Sequence, residues 1–165
     1  MMAIEHVTET PATLVLTRAN VPFTVHSYDH EQIARGFGRQ AAEALGVAMD
    51  RIFKSLIVEV VGFRAGLVTA LVPVSRRLDV KALAGMLGGK RAELVAPDVA
   101  ERTTGYVVGG ISPLGQKRPT SVVIDASAQD YPTIYVSAGR RGLQVELSAT
   151  ELARLVGAQF AAIAR

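Results

Sequence analysis

The sequence predicts one α+β domain, built on a curved mixed sheet or barrel with helices on its outside. The chain has 165 residues, of which 49% are apolar, and this length suits one well-buried domain better than two. Short apolar and β-branched runs are interspersed with helical patterns, giving about seven strands and five helices. The order is too irregular for the repeated βαβ units of a doubly wound sheet. No repeat, low-complexity segment or linker divides residues 1–165.

Capping residues and apolar periodicity locate the elements of the first half. Thr10 or Thr13 caps a first helix, and Asp79 caps another. Glycine ends helices because it adopts the left-handed conformation without steric cost. The predicted elements are a helix ending near Asn20, a strand over 23–28, a helix over 39–45 stopped by Gly46, a hairpin of central strands over 52–61 and 66–74, and a helix from 80 to the glycines at 88–89.

Similar signals locate the elements of the second half. Pro97 and Asp98 open a short helix that runs to about Thr104. Ser148 and Glu151 form a capping box for the last helix. Between these helices, aromatic and β-branched residues predict strands. The predicted strands cover 106–108, 120–126, 133–137 and 142–147, with a turn over 138–141.

Composition excludes several classes of protein and of site. The chain has no cysteine, which rules out disulfides, thiolate metal ligands and a protein-borne thiol nucleophile. The histidines at 6, 26 and 30 lack metal-site spacing, and no nucleotide-binding fingerprint is present. No apolar run is long enough to cross a bilayer, and the first residues lack a secretion signal. We therefore expect a cytoplasmic protein that uses no metal or other cofactor, with residues 1–9 as a frayed tail.

Four doublets of basic residues lie in or beside predicted turns, within a modest net charge of +3. Basic pairs on turns can contact a phosphate backbone, and such contacts dominate nucleic-acid affinity. They can equally keep loops soluble, so both interpretations stay open. The doublets are Arg76-Arg77, Lys90-Arg91, Lys117-Arg118 and Arg140-Arg141.

Lys54 interrupts a predicted central strand on its more apolar face. Period two places it with Ile52 and Leu56, and places Ser55 on the opposite face. A buried ammonium is costly unless it is paired or lines a cavity, whereas near a strand end it can reach solvent. If Lys54 lies inside, desolvation lowers its pKa.

The segment 105–119, GYVVGGISPLGQKRP, contains a glycine pair at Gly109-Gly110 after the short predicted strand. Two adjacent residues without Cβ allow a backbone or ligand to approach closely. Such a turn either joins two strands or presents several N–H groups to one point, as in an anion nest or oxyanion hole. No Ser/His/Asp set or GxSxG elbow accompanies it.

Four motifs give the chain a resemblance to a known family. They are HSYDH at 26–30, FKSL at 53–56, TGYVVGGISPLGQK at 104–117 and IYVSAGRRGLQVEL at 134–147. From about Pro11 to the C-terminus the chain resembles the YbaK/EbsC family of free-standing aminoacyl-tRNA editing proteins, specifically its Cys-tRNA(Pro) deacylases. The resemblance implies a mixed, barrel-like sheet surrounded by helices, shared with the editing domain of some prolyl-tRNA synthetases. It also implies removal of cysteine wrongly attached to proline tRNA. Cysteine and proline are similar in size, so the synthetase pocket cannot strongly reject cysteine.

The resemblance also assigns roles to residues. The substrate thiol is expected to attack its own ester carbonyl, releasing a cyclic thiolactone, so that the protein supplies orientation and oxyanion stabilisation. Lys54 would be the essential cation, and the N–H groups around Gly109 and Gly110 would hold the carbonyl. At the position of Gln144, some relatives carry a small or acidic residue that is expected to contact the substrate. The substrate-binding set is Tyr28, Ile111, Ser112, Pro113, Ser137 and Gln144; the RNA-binding set is Lys117, Arg118, Arg140 and Arg141.

Two other functions stay open from the sequence. One is editing of another small aminoacyl group, such as alanyl- or seryl-tRNA, against which the GGISPLG loop argues. The other is a non-catalytic module that binds tRNA or a synthetase, against which the retention of Lys54 and the glycine pair argues. The expected partner is the aminoacylated acceptor end of tRNA, with or without prolyl-tRNA synthetase, and neither DNA nor a membrane.

Overall fold

A computed structural model describes residues 9–29, 37–64 and 66–165. The predicted tail lies, except for Glu9, outside the described residues, as do His6, His30 and Ala65. Eight strands and five α-helices occur in the described part of the chain. The helices are α1 (Pro11–Arg18), α2 (Phe37–Leu45), α3 (Val80–Met86), α4 (Pro97–Thr104) and α5 (Ala149–Val156), and the strands are β1 (Thr24–Ser27), β2 (Ile52–Val61), β3 (Leu67–Pro73), β4 (Arg91–Leu94), β5 (Ser121–Asp125), β6 (Ile134–Arg140), β7 (Leu143–Leu147) and β8 (Gln159–Ala161).

The predicted helix starts are confirmed by their caps. Side-chain oxygens of Thr10, Asp79 and Ser148 accept hydrogen bonds from backbone N–H groups in the first turns of α1, α3 and α5. Each bond satisfies a donor that has no partner within its own helix. Gly46 follows α2 with a φ of 66°, in keeping with its predicted role as a helix stop.

The strands form one mixed sheet in the order β1-β7-β6-β2-β3-β5-β8, with β4 added beside β2. The β2–β6, β3–β5 and β5–β8 pairs are parallel, and the remaining pairs are antiparallel. The predicted α+β class and mixed sheet are therefore confirmed, as is the hairpin of β2 and β3. The path of paired strands is open, because it ends at β1 and at β8.

One predicted strand is wrong, and two strands were not predicted. Residues 106–108 belong to a loop, although their composition favours a strand. The buried Tyr106 donates its phenol hydrogen to the Leu114 carbonyl at 2.7 Å, and Val107 is 49% exposed. The unpredicted strands, β4 and β8, are short and are held by pairing with β2 and β5.

The two faces of the sheet are both covered. Phe53 and Ile57 of β2 face the largest apolar core, which also contains Leu16 of α1 and Leu152 of α5. The opposite face carries Ile52, which packs with the α2 alanines and Tyr135, and Val58 and Val60, which lie in a separate cluster with α3. β2 is therefore a central strand whose side chains contact protein on both sides.

One edge of β2 contains a gap in its pairing. Along the other edge, β3 pairs continuously from Phe53 to Glu59. On the gapped edge, β6 pairs only with Ile52 and Phe53, and β4 begins at Val58. Within the described chain, the segment 54–56 thus has no strand beside it on this edge, and β2 and β6 separate there.

A buried carboxylate fastens the C-terminal segment to the sheet. Asp125, at the end of β5, is 2% exposed. One of its oxygens accepts from the N–H groups of Ile163 and Ala164 at 3.0 and 2.9 Å. The other accepts from the N–H and hydroxyl of Ser127. Burial alone would raise the pKa of Asp125, but these hydrogen bonds bring the pKa below its ordinary value.

Candidate functional site

A cavity of about 350 Å³ opens where β2 and β6 separate. Its walls come from β2, the residue after β3, α2, the loop after α4, and the neighbouring strands β6 and β7. A volume of this size accommodates a small ligand. The lining residues are Gly38, Arg39, Ile52, Phe53, Lys54, Ser55, Leu56, Val74, Val108, Gly109, Ile111, Ser137 and Gln144.

Lys54 lies half-buried in this cavity. The sequence left two positions open for this side chain, lining a cavity or reaching solvent, and the structure has the first. Burial lowers the pKa of its ammonium, and the positive charge of Arg77 lowers it further. The part of the chain that the structure describes places no carboxylate among the residues that line the cavity. Lys54 is therefore a cation placed to meet an electron-rich group of a ligand.

Two buried oxygen atoms in the cavity wall lack a hydrogen-bond partner within the described chain. They are the hydroxyl oxygen of Ser55 and Oε1 of Gln144. A buried polar atom without a partner costs roughly 1–3 kcal/mol, and a ligand that supplies the missing bonds removes that cost. The sequence prediction included Gln144 but missed Ser55, because period two places Ser55 on the face opposite Lys54. The gap beside β2 opens the cavity to both residues.

Ser137 and Gln144 lie on adjacent strands, and Tyr28 follows the end of β1, which pairs with the strand of Gln144. Ser137 of β6 stands opposite Gln144 of β7, and the Tyr28 N–H donates to the carbonyl of Gly142 at 2.9 Å. Burial raises the pKa of the Tyr28 phenol, and a side-chain hydrogen bond with Gln144 opposes the rise. Tyr28 is not among the lining residues. It bonds to Gln144, which does line the cavity.

The two glycines of the loop have different surroundings. Gly109 lines the cavity and has a φ of 90°. Gly110 packs against the β6–β7 turn, where an added Cβ would lie 2.9 Å from backbone atoms of Arg140 and Arg141. The Gly110 N–H donates to the Val107 carbonyl at 2.8 Å, so this N–H is engaged within the loop. Gly110 is thus required for close backbone packing, and Gly109 faces the cavity.

Ile111, Ser112 and Pro113 divide between the cavity and the protein behind it. Ile111 lines the cavity, whereas the other two do not. Ser112 is fully buried, and its carbonyl accepts from Nε2 of Gln116 at 3.1 Å. Gln116 also donates to the hydroxyl of Thr69 on β3. This buried network anchors the loop to the sheet, so Ser112 supports the cavity wall from behind.

The predicted RNA-binding doublets lie at different distances from the cavity. Arg140 and Arg141 adjoin the glycine loop. Lys117 and Arg118 bond through their N–H groups to the last turn of α4, and Arg118 lies beside Leu67 at the start of β3. Lys54, in the cavity, pairs with Val72 of β3, which is five residues from Leu67. Arg118 therefore lies about 17 Å from the cavity along β3. Arg39, which the sequence prediction did not include, is exposed at the cavity itself.

Two absences apply to residues 9–29, 37–64 and 66–165. No group of three or more His, Cys, Asp or Glu side chains there could hold a metal ion. No helix in these ranges is long and apolar enough to cross a membrane.

The comparison with known families shows which family the chain belongs to. The family model of the aminoacyl-tRNA editing domain matches residues 34–155, which include all the lining residues named above. The chain belongs to the aminoacyl-tRNA editing domain family. The resemblance inferred from the four motifs is therefore confirmed.

Individual relatives agree with this family. The chain is 43% identical over 122 residues to the Enterococcus faecalis protein EbsC, named as a candidate Cys-tRNA(Pro)/Cys-tRNA(Cys) deacylase, covering 74% of this chain and 73% of EbsC. It is 32% identical over 113 residues to Bacillus subtilis YwhH, an uncharacterised protein, covering 68% and 70%. A solved structure described as a candidate trans-editing enzyme for prolyl-tRNA synthetase superposes with a TM-score of 0.80 at 25% identity, covering 95% of this chain and 98% of the other.

Proposed function

We propose that this protein is a trans-acting, cytoplasmic deacylase that removes cysteine from mischarged Cys-tRNA(Pro). Membership of the editing family and the similarity to EbsC support the reaction class and the substrate. Cys-tRNA(Cys), which EbsC's name also includes, is a second substrate to test. The protein meets the acceptor end of the tRNA, either alone or beside prolyl-tRNA synthetase.

The observation that carries the proposal is the set of groups around the cavity. Lys54 provides a partly desolvated cation, and the oxygens of Ser55 and Gln144 lack partners in the described chain. An aminoacyl ester brings a carbonyl, an ammonium group and ribose hydroxyls, which together supply both donors and acceptors. Ligand binding therefore satisfies polar atoms that the protein alone leaves unpaired.

The reaction that fits these groups uses the thiol of the substrate as its nucleophile. The chain has no cysteine, and among the described residues neither a histidine nor a carboxylate lines the cavity to activate a serine. The substrate sulfur attacks its own ester carbonyl carbon, a C–S bond forms, and the bond to the terminal ribose oxygen breaks. The thiol proton ends on that oxygen, leaving a thiolactone and free tRNA. The protein's part is to orient the thiol and to stabilise the carbonyl oxygen through Lys54 and the Gly109 N–H.

The basic residues supply the binding of the nucleic acid. Arg39 and the Arg140-Arg141 doublet adjoin the cavity and are placed to contact phosphates next to the ester. Arg118, which follows Lys117 in the sequence, lies about 17 Å away along β3, a distance that reaches a more remote part of the acceptor stem. Phosphate contacts of this kind make affinity fall as the salt concentration rises.

The experiment compares Cys-tRNA(Pro), Cys-tRNA(Cys) and Ala-tRNA(Pro), with and without prolyl-tRNA synthetase. Cysteinyl esters should be cleaved, with thiolactone as first product, and the alanyl ester should persist because it has no thiol. Lys54→Ala should abolish cleavage and keep the wild-type circular dichroism spectrum. Efficient cleavage of the alanyl ester would instead indicate an alanine editor. Binding of tRNA without cleavage of any ester would indicate a non-catalytic module.

A further inference from the structure

The turn over Val107–Gly110 contains two successive peptide groups whose polar ends can be followed one by one. The first peptide group joins Val107 to Val108. Its carbonyl accepts from the Gly110 N–H at 2.8 Å, and its N–H donates to Oε2 of Glu101 on α4 at 2.9 Å. Both polar ends of this peptide group are therefore bonded to protein.

The second peptide group joins Val108 to Gly109. Its carbonyl accepts from Nε of Arg141 at 2.9 Å. None of the described residues accepts a hydrogen bond from its N–H, which belongs to Gly109. Of the four polar ends in the two groups, three are thus bonded to protein, and the fourth lies on a residue that lines the cavity.

The geometry of the peptide bond links Arg141 to the direction of this N–H. In a trans peptide the carbonyl and the N–H point in opposite directions within one plane. A hydrogen bond that holds the Val108 carbonyl toward Arg141 consequently directs the Gly109 N–H away from Arg141. The φ of 90° at Gly109 is that of the third residue of a type II turn, which differs from type I chiefly by a flip of this middle peptide. Arg141 therefore holds the peptide in one of two orientations.

We propose that Glu101 and Arg141 are positioning residues that fix the Val108 peptide groups and so direct the Gly109 N–H at the substrate carbonyl. This inference rests on the proposed deacylase function and adds two residues to it. Glu101 holds the turn from α4, and Arg141 holds it from the β6–β7 turn. Arg141 thus acts on the reaction through the loop, a role separate from the phosphate contact proposed for the Arg140-Arg141 doublet.

Single-turnover deacylation of Cys-tRNA(Pro) at saturating enzyme tests the proposal. Glu101→Ala and Arg141→Ala should each lower the rate constant by about 10-fold or more, because a misdirected donor stabilises the developing oxyanion poorly. Glu101→Gln keeps an oxygen acceptor and should recover most of the rate. Asp98→Ala removes an exposed carboxylate one turn earlier in α4 and should leave the rate unchanged. Arg140→Ala, as the comparator for a lost phosphate contact, should weaken binding in a salt-dependent way.

A wild-type saturated rate in Arg141→Ala, with weakened binding alone, would overturn the proposal in favour of a phosphate contact. The amide resonance of Gly109 in ¹H–¹⁵N spectra gives a second measurement that needs no turnover. It should shift in Glu101→Ala and Arg141→Ala and stay in place in Asp98→Ala. If the Gly109 resonance does not shift in Glu101→Ala and Arg141→Ala, the positioning role of Glu101 and Arg141 is wrong, whatever the activity. If the wild-type protein cleaves no ester but the resonance shifts in these variants, the deacylase function is wrong and the positioning role is retained.

Discussion

The cavity and the surroundings of Asp125 both contain buried polar atoms, but they differ in how many of these atoms are hydrogen-bonded. At Asp125, both carboxylate oxygens accept hydrogen bonds from backbone or hydroxyl groups. In the cavity, the oxygens of Ser55 and Gln144 have no partner in the described chain. The pKa of each charged group is lowered, but lowering stabilises a carboxylate anion and destabilises an ammonium cation.

The difference separates polar groups that stabilise the native state from polar groups that are left available to bind a ligand. A fully bonded carboxylate stabilises the native state, because its partners replace the water lost on burial. A partly desolvated lysine and unpaired oxygens destabilise the native state, and such groups cluster at functional sites. Substitutions in the cavity should therefore lower activity without lowering stability, whereas substitutions at Asp125 should lower stability without lowering the activity of the folded protein.

The largest effect is expected from Lys54→Met, which replaces the cation by an apolar side chain of similar length. Deacylation should fall by at least about 100-fold, because charge stabilisation at the carbonyl is lost. The unfolding temperature at neutral pH should stay the same or rise, because the variant buries no ammonium. Single-turnover assays and thermal melts measure the two results.

The pH dependence of Lys54→Met follows from the lowered pKa of Lys54. The native ammonium loses its proton below the ordinary pKa of 10.5. The stability advantage of the variant should therefore be complete below the native pKa and shrink to nothing as the pH rises to 10.5. A variant that melts well below wild type at neutral pH would show that Lys54 belongs with the stabilising groups.

Gly110→Ala should have the next largest effect. Its Cβ would lie 2.9 Å from the Arg140 backbone, so the loop must move and carry Gly109 with it. A displacement near 1 Å at a reacting centre lowers the rate by about 10- to 100-fold. The control is Gly85→Ala in α3, where an added Cβ meets nothing within 4 Å. The control should keep full activity, and equal losses in both variants would contradict the role of the close packing.

Asp125→Asn should lower stability while leaving the reaction of the folded protein intact. Loss of the charge-assisted bonds should cost about 3 kcal/mol in the free energy of unfolding. Because the pKa of Asp125 is lowered, its contribution is complete above the ordinary value of 3.8 and disappears as the pH falls through the native pKa. Denaturant titrations at neutral and acidic pH should therefore converge for the two proteins. A difference that persists in acid would assign the loss to packing.

The smallest effect is expected from Ser55→Ala in the cavity, with Ser127→Ala beside Asp125 as its matched control. Removing the unpaired Ser55 hydroxyl should leave the free energy of unfolding unchanged or raise it by up to about 1 kcal/mol. The Ser127 hydroxyl bonds to Asp125, so its removal should lower this free energy by about 1 kcal/mol. Deacylation should drop a few-fold only in Ser55→Ala. Equal destabilisation by both would mean that Ser55 has a partner in the protein.

Local signals in the sequence were sufficient for much of the fold. The long apolar runs predicted the β2–β3 hairpin, and Thr10, Asp79 and Ser148 predicted three helix starts. β4 and β8 could not be predicted, because their short sequences carry little strand signal and their pairing comes from distant segments. The strand predicted over 106–108 fails because Tyr106 bonds within its own loop, an interaction that composition does not reveal.

The candidate site was predictable where it depends on single residues and not where it depends on pairing. Lys54 stood out as a charge on an apolar face, and Gly109 as part of a glycine pair. Ser55 was missed because the gap beside β2 arises from the short β2–β6 ladder, which joins remote parts of the chain. The separate surroundings of Gly109 and Gly110 likewise depend on the β6–β7 turn.

The short parallel ladder between β2 and β6 has a consequence for the protein's synthesis. Lys54 emerges from the ribosome early, but β6 and β7, which supply Ser137 and Gln144, emerge much later. Closing so long a loop is entropically costly and slow compared with forming the local β2–β3 hairpin. A nascent chain can therefore build the hairpin first, and the cavity is complete only when nearly all of the domain has been translated.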